Sequence, residues 1–189
     1  MSKMNRRTFL DRLLLGVAAL TVSRVLPGGL ASAQGTPQAA TWPTGMALDI
    51  DLTVATQATG RVKRPYVAVW IEDPQGNTVR NVSVWVRQGH GNPRWVDELR
   101  RWTRQNGELV STVSSATRNP GRYTVAWDGK NDKGKLLAQG TYSVCVESAR
   151  EHGPYSLVRQ AVTVGATPFK KNLGSDNDIE GVSVSLVKA

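Results

Sequence analysis

The chain has 189 residues and carries 24 lysines and arginines against 15 aspartates and glutamates, a formal charge of +9. This length suits one ordinary domain with an appendage. The single cysteine excludes an intrachain disulfide, a four-cysteine metal site and a c-type haem attachment motif. The sequence also lacks the phosphate-binding loop of nucleotide hydrolases and the Gly-x-Ser-x-Gly nucleophile motif.

Residues 1–33 are predicted to be an export signal. A basic start is followed by an apolar stretch over residues 13–26 and by a small-residue cleavage pattern, with cleavage between Ala33 and Gln34. The stretch is too short and too weakly apolar to cross a bilayer of about 30 Å. Four residues resemble the twin-arginine motif: Arg6, Arg7, Phe9 and Leu10. That resemblance implies export of an already folded protein to the periplasm.

The signal also carries much of the positive charge. It holds five basic residues and one acidic residue, so the mature chain of 156 residues has a charge of about +5. Such a mildly basic surface is not typical of a nucleic-acid-binding protein. We therefore expect no nucleic-acid partner, and no transmembrane segment in the mature chain.

The mature chain is predicted to be a mostly β domain behind a short linker. Residues 34–45 are rich in Gly, Thr, Pro and Ala, which is typical of flexible linkers, and the domain is expected over residues 46–189. Alternating apolar and polar residues, bounded by turn residues, indicate short strands. The predicted strands cover residues 46–54, 65–72, 78–86, 121–127, 135–138, 141–147, 155–164 and 179–187. Their number and spacing favour an antiparallel β-sandwich of about seven to nine strands.

One amphipathic α-helix is predicted to interrupt the strands at about residues 93–105. Asn92 can cap this helix and Pro93 suits its first position. Its apolar face is formed by Trp95, Leu99 and Trp102. We expect this face to be buried against the edge or end of a sheet.

A turn-rich segment, residues 121–144, indicates a particular kind of sandwich. Its pattern, Gly-x-Tyr-x-Val-x-Trp-Asp-Gly followed by Gly-x-Tyr-x-Val, resembles the Ig-like module of flagellar hook-capping proteins and bacterial surface proteins. The resemblance implies an Ig-like fold and says little about function. Three aromatic residues are expected to fill the core between the sheets: Tyr123, Trp127 and Tyr142.

Four further segments resemble one family. They are residues 66–73, the helix with its tryptophans, residues 116–121 and residues 150–155, and they are similar to the predicted periplasmic family called domain of unknown function 2271. That family has no established activity, and its members are often encoded near PepSY-type membrane reductases and flavin transferases. The resemblance implies an exported accessory or binding module, with a periplasmic or membrane redox protein as its partner.

Three consecutive polar residues after a predicted strand could form a different kind of site. Glu151 and His152 are candidate catalytic residues, because a carboxylate and an imidazole can transfer protons. Arg150, with Arg159, is a candidate group for binding an anionic substrate or cofactor. The alternative is a polar hairpin turn closed by the Gly-Pro pair that follows. These residues leave open whether the protein is an enzyme, and the family resemblance favours a binding role.

A metal site has little support in the sequence. Zinc takes three or four ligands, and the chain has two histidines, His90 and His152. They are metal candidates only if they meet in space, with Glu151 or Asp97 nearby. The acidic loop at residues 128–132 lacks the spacing of a calcium loop and is interpreted as turn chemistry.

Residues 114–117, Ser-Ser-Ala-Thr, resemble the acceptor motif of flavin transferases, Ser/Thr-Gly-Ala-Thr. In that motif a threonine hydroxyl is joined to flavin mononucleotide (FMN) through a phosphoester, and Thr117 holds the matching position. Ser115 replaces the glycine, and Ser111 stands where the motif has an acidic residue. The alternative is a polar loop that enters the strand at Gly121.

Two further predictions concern the strands. Cys145 lies in mid-strand and is predicted to be a small buried side chain rather than a reactive thiol. The domain could also be a structural Ig-like module that binds a partner through a sheet edge.

Overall fold

A computed structural model describes residues 40–57, 63–88, 93 and 95–189. Several sequence predictions lie outside the described residues: the export signal with its cleavage site, the metal candidate His90 and the helix cap Asn92.

The described residues form nine strands and a helical segment. The strands are β1 (Met46–Val54), β2 (Tyr66–Glu72), β3 (Thr78–Val86), β4 (Ser114–Ala116), β5 (Gly121–Trp127), β6 (Gly140–Ala149), β7 (Tyr155–Val164), β8 (Phe169–Asp176) and β9 (Ile179–Lys188). The helices are α1 (Arg100–Asn106) and α2 (Val110–Val113), with 3₁₀ turns at Val96–Glu98 and Gly107–Leu109.

The strands form two sheets that pack as a β-sandwich. Sheet one has the strand order β5-β1-β9-β8, and sheet two has the order β4-β3-β2-β6-β7. Neighbouring strands are antiparallel, except that β4 runs parallel to β3. In sheet one, β1 pairs with β5 on one side and with β9, the last of the described strands, on the other. The predicted fold class, a mostly β sandwich with one helical segment, is confirmed.

The core between the sheets is built from alternate residues of the strands, as the period of two requires. Three inward side chains of β1 are at most 1% exposed: Leu48, Ile50 and Leu52. They belong to one apolar cluster with side chains of sheet two, among them Val67, Val69, Ile71, Val144 and Val146. Trp127 and Tyr142 are buried in this core and Tyr123 packs against it, which confirms the role predicted for these three aromatic residues.

The helical segment covers the outer face of sheet two, not the predicted edge or end. Leu99 and Trp102 are fully buried. They form a second apolar cluster with outward side chains of the sheet, among them Ala68, Trp70, Val84, Val86 and Cys145. Because this outer face is itself apolar, it requires a cover. Cys145 is fully buried in the cluster, as predicted.

The helix begins later than the sequence predicts. Trp95 has a left-handed backbone conformation (φ 67°, ψ 12°), which a residue inside an α-helix does not adopt, and α1 begins only at Arg100. The first amides of α1 are satisfied by Glu147 of β6. Its carboxylate accepts hydrogen bonds from the backbone N–H groups of Arg101 (2.9 Å) and Trp102 (2.8 Å). The predicted start is therefore wrong, and Trp95, predicted to be buried, is 37% exposed.

Two strands, β4 and β8, do not follow from the sequence pattern. β4 has only three residues. β8 is mostly polar and exposed, and its register against β9 shifts twice, with Gly174 at φ 97°. Its position is therefore specified by the neighbouring strand rather than by its own alternation. Residues 135–138, predicted to be a strand, form isolated bridges instead.

The described end of the predicted linker is packed onto the domain. Trp42 is 2% exposed, and its backbone N–H donates to the carbonyl of Leu137 (2.8 Å). Its ring lies 4.5 Å from that of Trp127, centroid to centroid. It also covers Gly129 so closely that a Cβ there would come within 2.1 Å of the indole. Residues 40–45 thus differ from the expected flexible linker, because one tryptophan anchors them in the core.

Candidate functional site

The first of the three consecutive candidate residues, Arg150, is buried. It is 1% exposed and binds Asp178 through Nε (2.7 Å) and Nη2 (3.1 Å). It also donates to the backbone carbonyls of Ala55 (2.7 Å) and Lys63. These bonds engage most of its N–H groups. Arg150 therefore ties together three separate segments of the domain.

Glu151 and His152 lie nearer the surface. Glu151 pairs with Lys63 across 3.2 Å, with the two side chains 33% and 34% exposed. His152 is exposed, and its ring packs edge-on against that of Trp95 with the centroids 4.9 Å apart. The structure thus brings His152 to the start of the helical segment, while Glu151 is neutralised by a lysine.

Arg100, five residues after Trp95, contacts Tyr155, three residues after His152. The guanidinium of Arg100 lies 4.9 Å from the ring centre of Tyr155, within the range of a cation–π contact. Burial raises the pKa of the Tyr155 phenol, and its hydrogen bond to the Glu147 carboxylate raises that pKa further. The phenol therefore stays protonated. We call Trp95, His152, Arg100 and Tyr155 the aromatic patch.

Two residues of the aromatic patch have strained backbones. Trp95 (φ 67°) and His152 (φ 55°) are left-handed, and Asn177 is the one other non-glycine residue with a positive φ in the described part of the chain. Such a conformation costs about 1–3 kcal/mol and persists only where the surroundings enforce it. It is an outlier for a residue as bulky as tryptophan. Because such strain clusters at binding and active sites, the pair is a functional candidate.

No metal-binding group is found within residues 40–57, 63–88, 93 and 95–189: three or more His, Cys, Asp or Glu side chains nowhere converge there. The oxygens of the 128–132 loop already accept hydrogen bonds within the protein. Both carboxylate oxygens of Asp132 accept from Asn81 of β3, from its backbone N–H (2.9 Å) and its side-chain amide (2.8 Å). Asp128 accepts from the backbone of Lys130 (3.1 Å), and Asn131 accepts from the backbones of Lys133 (3.0 Å) and Lys135 (2.9 Å). These bonds shape a turn.

The flavin-acceptor candidate Thr117 directly follows the edge strand β4 and is half-buried. Its neighbour Arg118 is exposed, with its guanidinium 4.3 Å from the ring centre of Trp85 and 5.3 Å from that of Tyr123. A cation held on two rings therefore lies next to the threonine in the chain.

Comparison with models of protein families identifies the family of this chain. A family model described as a predicted periplasmic protein, DUF2271, matches residues 47–180. The chain belongs to this family. Searches of curated proteins and of solved structures find no match. The matched range includes Thr117, the aromatic patch and all three residues from Arg150 to His152, so every described candidate belongs to the DUF2271 region.

A buried ionic cluster of this DUF2271 protein is missed by the sequence predictions. Glu72 of β2 is 0% exposed and accepts hydrogen bonds from Trp70 Nε1 (3.1 Å), Arg101 Nη2 (2.9 Å) and Arg159 Nε (2.7 Å). Burial by itself would raise the pKa of Glu72, but the hydrogen bonds from Arg101, Arg159 and Trp70 hold it below the usual value.

The sequence feature that could have predicted this ionic cluster is the spacing of Trp70 and Glu72. Residues two apart on a strand share a face, so Glu72 follows Trp70 onto the covered outer face of sheet two. A carboxylate buried there requires cationic partners. The partners themselves come from α1 and β7, and no local pattern identifies them.

Two other buried groups of the DUF2271 domain have raised pKa values. Burial raises the pKa of the Cys145 thiol, which therefore stays protonated and unreactive. Burial also raises the pKa of Glu147, opposed by the helix amides that its carboxylate binds. Both groups lie under the helical segment, so they support the fold there rather than form an open site.

The outer face of sheet one carries an open groove of about 440 Å³. Polar residues of all four strands of the sheet, including Asp51, Arg122, Asn172 and Ser183, line it. The groove contains none of the residues singled out in the sequence. No helix of the described residues is long and apolar enough to cross a membrane.

Proposed function

We propose that this DUF2271 protein is a periplasmic accessory module that binds a protein of a membrane-linked redox or flavin system, such as a PepSY-type reductase. Folded export by the twin-arginine pathway, with cleavage between Ala33 and Gln34, is part of the proposal. The observation that carries it is the exposed Trp95–His152 contact, in which both residues have strained backbones.

The aromatic patch has the composition of a binding hot spot. Tryptophan, tyrosine and arginine dominate the energetics of protein interfaces, because each supplies a large contact area with a polar or charged group. Trp95 is one of two large apolar side chains exposed in the described residues, and the other is Leu136 at 43%. Holding Trp95 at the surface in a strained conformation disfavours the free domain. Contact with a partner would compensate for that cost.

The alternative enzyme or anion-binding function, with Arg150, Glu151 and His152 acting together, has weaker support. Arg150 is committed to Asp178, and Glu151 is paired with Lys63. The three side chains therefore have separate partners, and a binding role fits their arrangement better than shared acid–base chemistry.

The first test separates binding from folding. A photo-crosslinking amino acid at the exposed Asp97, two residues from Trp95, is expected to form an adduct with a PepSY-type reductase in membranes of the native host. Trp95→Gly is expected to abolish the adduct while leaving the melting temperature equal or higher, because glycine relieves the left-handed strain. Mass spectrometry identifies the adduct, and calorimetry measures the melting temperature.

The matched control places the same crosslinker at Leu136, which is also exposed and apolar. Adducts that are equal at both positions, or that survive Trp95→Gly, would contradict a specific role for the aromatic patch.

A second test addresses the flavin link. In a host with a flavin transferase, we expect the Thr117 hydroxyl to attack the pyrophosphate of flavin adenine dinucleotide, so that AMP leaves and FMN stays on Thr117 as a phosphodiester, which adds the mass of FMN less one water. The adjacent Arg118 supports this, because its cation can balance the charge of a phosphodiester. Intact mass spectrometry of the exported protein checks the result, with Thr117→Ala as the control. An unmodified mass after cleavage at Ala33 argues against flavinylation.

A further inference from the structure

Two arginines from different elements converge on one buried carboxylate beside the helical segment. Arg101 of α1 donates from Nε to Oε1 of Glu72 (3.0 Å) and from Nη2 to both carboxylate oxygens (2.9 Å each). Arg159 of β7 donates from Nε to Oε2 (2.7 Å). Because both guanidinium groups share Oε2, they are held close together.

The cluster keeps an excess of positive charge. Two guanidinium groups face a single carboxylate, and the lowered pKa of Glu72 keeps that carboxylate ionised, so these three groups together carry one positive charge. The carboxylate of the neighbouring Glu147 accepts from the amides at the start of α1, and it offsets part of this charge through its electrostatic interaction with Arg101. The Cys145 thiol beside the cluster is protonated and adds no charge.

The outer ends of both arginines are accessible. The side chains of Arg101 and Arg159 are 30% and 39% exposed, whereas Glu72 between them is fully buried. Within the described residues, Arg159 uses only Nε and Arg101 only Nε and Nη2. Both Nη groups of Arg159 and the Nη1 group of Arg101 therefore remain for a ligand. Gly76 lies beside Nη2 of Arg159, since a Cβ built on it would be 4.0 Å from that atom.

We propose that Arg101 and Arg159 form a binding site for a phosphate group. A phosphate group presents oxygens in several directions and can accept from the free N–H groups of two guanidinium forks at once, whereas a carboxylate has only two coplanar oxygens. The buried Glu72 holds both forks in place before the ligand arrives, which reduces the entropy lost on binding. This site adjoins the aromatic patch but shares no residue with it, and it does not depend on the proposed partner.

The test is a titration of the ¹⁵N-labelled mature protein with inorganic phosphate at constant pH and ionic strength, followed by the arginine Nε–H resonances. We expect saturable shifts at Arg101 and Arg159. Arg159→Gln is expected to weaken binding by about tenfold or more, because it removes charge-assisted hydrogen bonds. Glu72 keeps Arg101 and Trp70 as partners in this variant, so the fold should persist, and the melting temperature checks that it does.

The matched control is Arg122→Gln. Arg122 is 70% exposed and lies 3.8 Å from Asp51 on sheet one, so its loss should leave phosphate binding unchanged. Shifts that do not saturate, that acetate reproduces equally, or that Arg159→Gln leaves intact would overturn the proposal.

Vesicle flotation then identifies the source of the phosphate group. Arg159-dependent binding to phosphatidylglycerol vesicles, but not to phosphatidylcholine vesicles, supports the proposal with a lipid headgroup as ligand. Saturable binding of inorganic phosphate without vesicle binding supports it with a soluble phosphate as ligand. Absence of both overturns it.

Discussion

Arg150→Ala is expected to lower the free energy of unfolding by about 3–5 kcal/mol, the usual cost of removing one partner from a buried ion pair. The substitution leaves the Asp178 carboxylate buried without its cation, and the carbonyls of Ala55 and Lys63 lose their donor. Urea denaturation, monitored by tryptophan fluorescence, measures the change.

The double variant Arg150→Met with Asp178→Asn serves as the control. Removing both charges avoids the isolated carboxylate, so the double variant is expected to be more stable than Arg150→Ala. A loss below about 1 kcal/mol in Arg150→Ala would show that the guanidinium does not hold these segments together. Arg150 would then again be a candidate for binding an anion.

Gly129→Ala is expected to lower the free energy of unfolding by about 3 kcal/mol or more, because the new Cβ would lie 2.1 Å from Cδ2 of Trp42. That approach is impossible, so Trp42 must leave its position against Trp127 and expose its indole. A red shift of the tryptophan emission together with a lower urea midpoint would record both effects.

Gly134→Ala is the matched control. Gly129 and Gly134 have nearly the same backbone (φ 74° and 76°), but a Cβ at Gly134 meets nothing within 4 Å. Its substitution should therefore cost only the left-handed strain, roughly 1–2 kcal/mol. Equal losses in the two variants would mean that Trp42 does not depend on the missing side chain of Gly129.

The parts of the fold that were predictable depend on local pattern. β1 follows from strict alternation, and Leu99 and Trp102 follow from helical spacing, because burial on one face imposes these periods on the sequence. β8 shows the opposite case: its polar residues carry no period, and only β9 sets its register.

The candidate site was less predictable because its geometry depends on distant partners. Arg150 reads as an exposed residue at a strand end, yet Asp178, 28 positions further on, draws it inside. Trp95 fits the apolar face of a helix, yet its left-handed backbone keeps it outside α1, where it is exposed and contacts His152. In both cases a contact between separate segments outweighs the local propensity.

The pairing of β1 between β5 and β9 has a consequence for how the domain is made. Among the described strands, β1 is synthesised first and occupies the interior of sheet one, and one of its two neighbours, β9, is synthesised last. Until β9 emerges from the ribosome, β1 has an open edge that can pair with another chain. Contacts between such distant strands also form slowly. The nascent domain therefore needs protection from aggregation until β9 has been synthesised, and a truncation that removes β9 leaves the backbone groups of β1 unpaired along one edge.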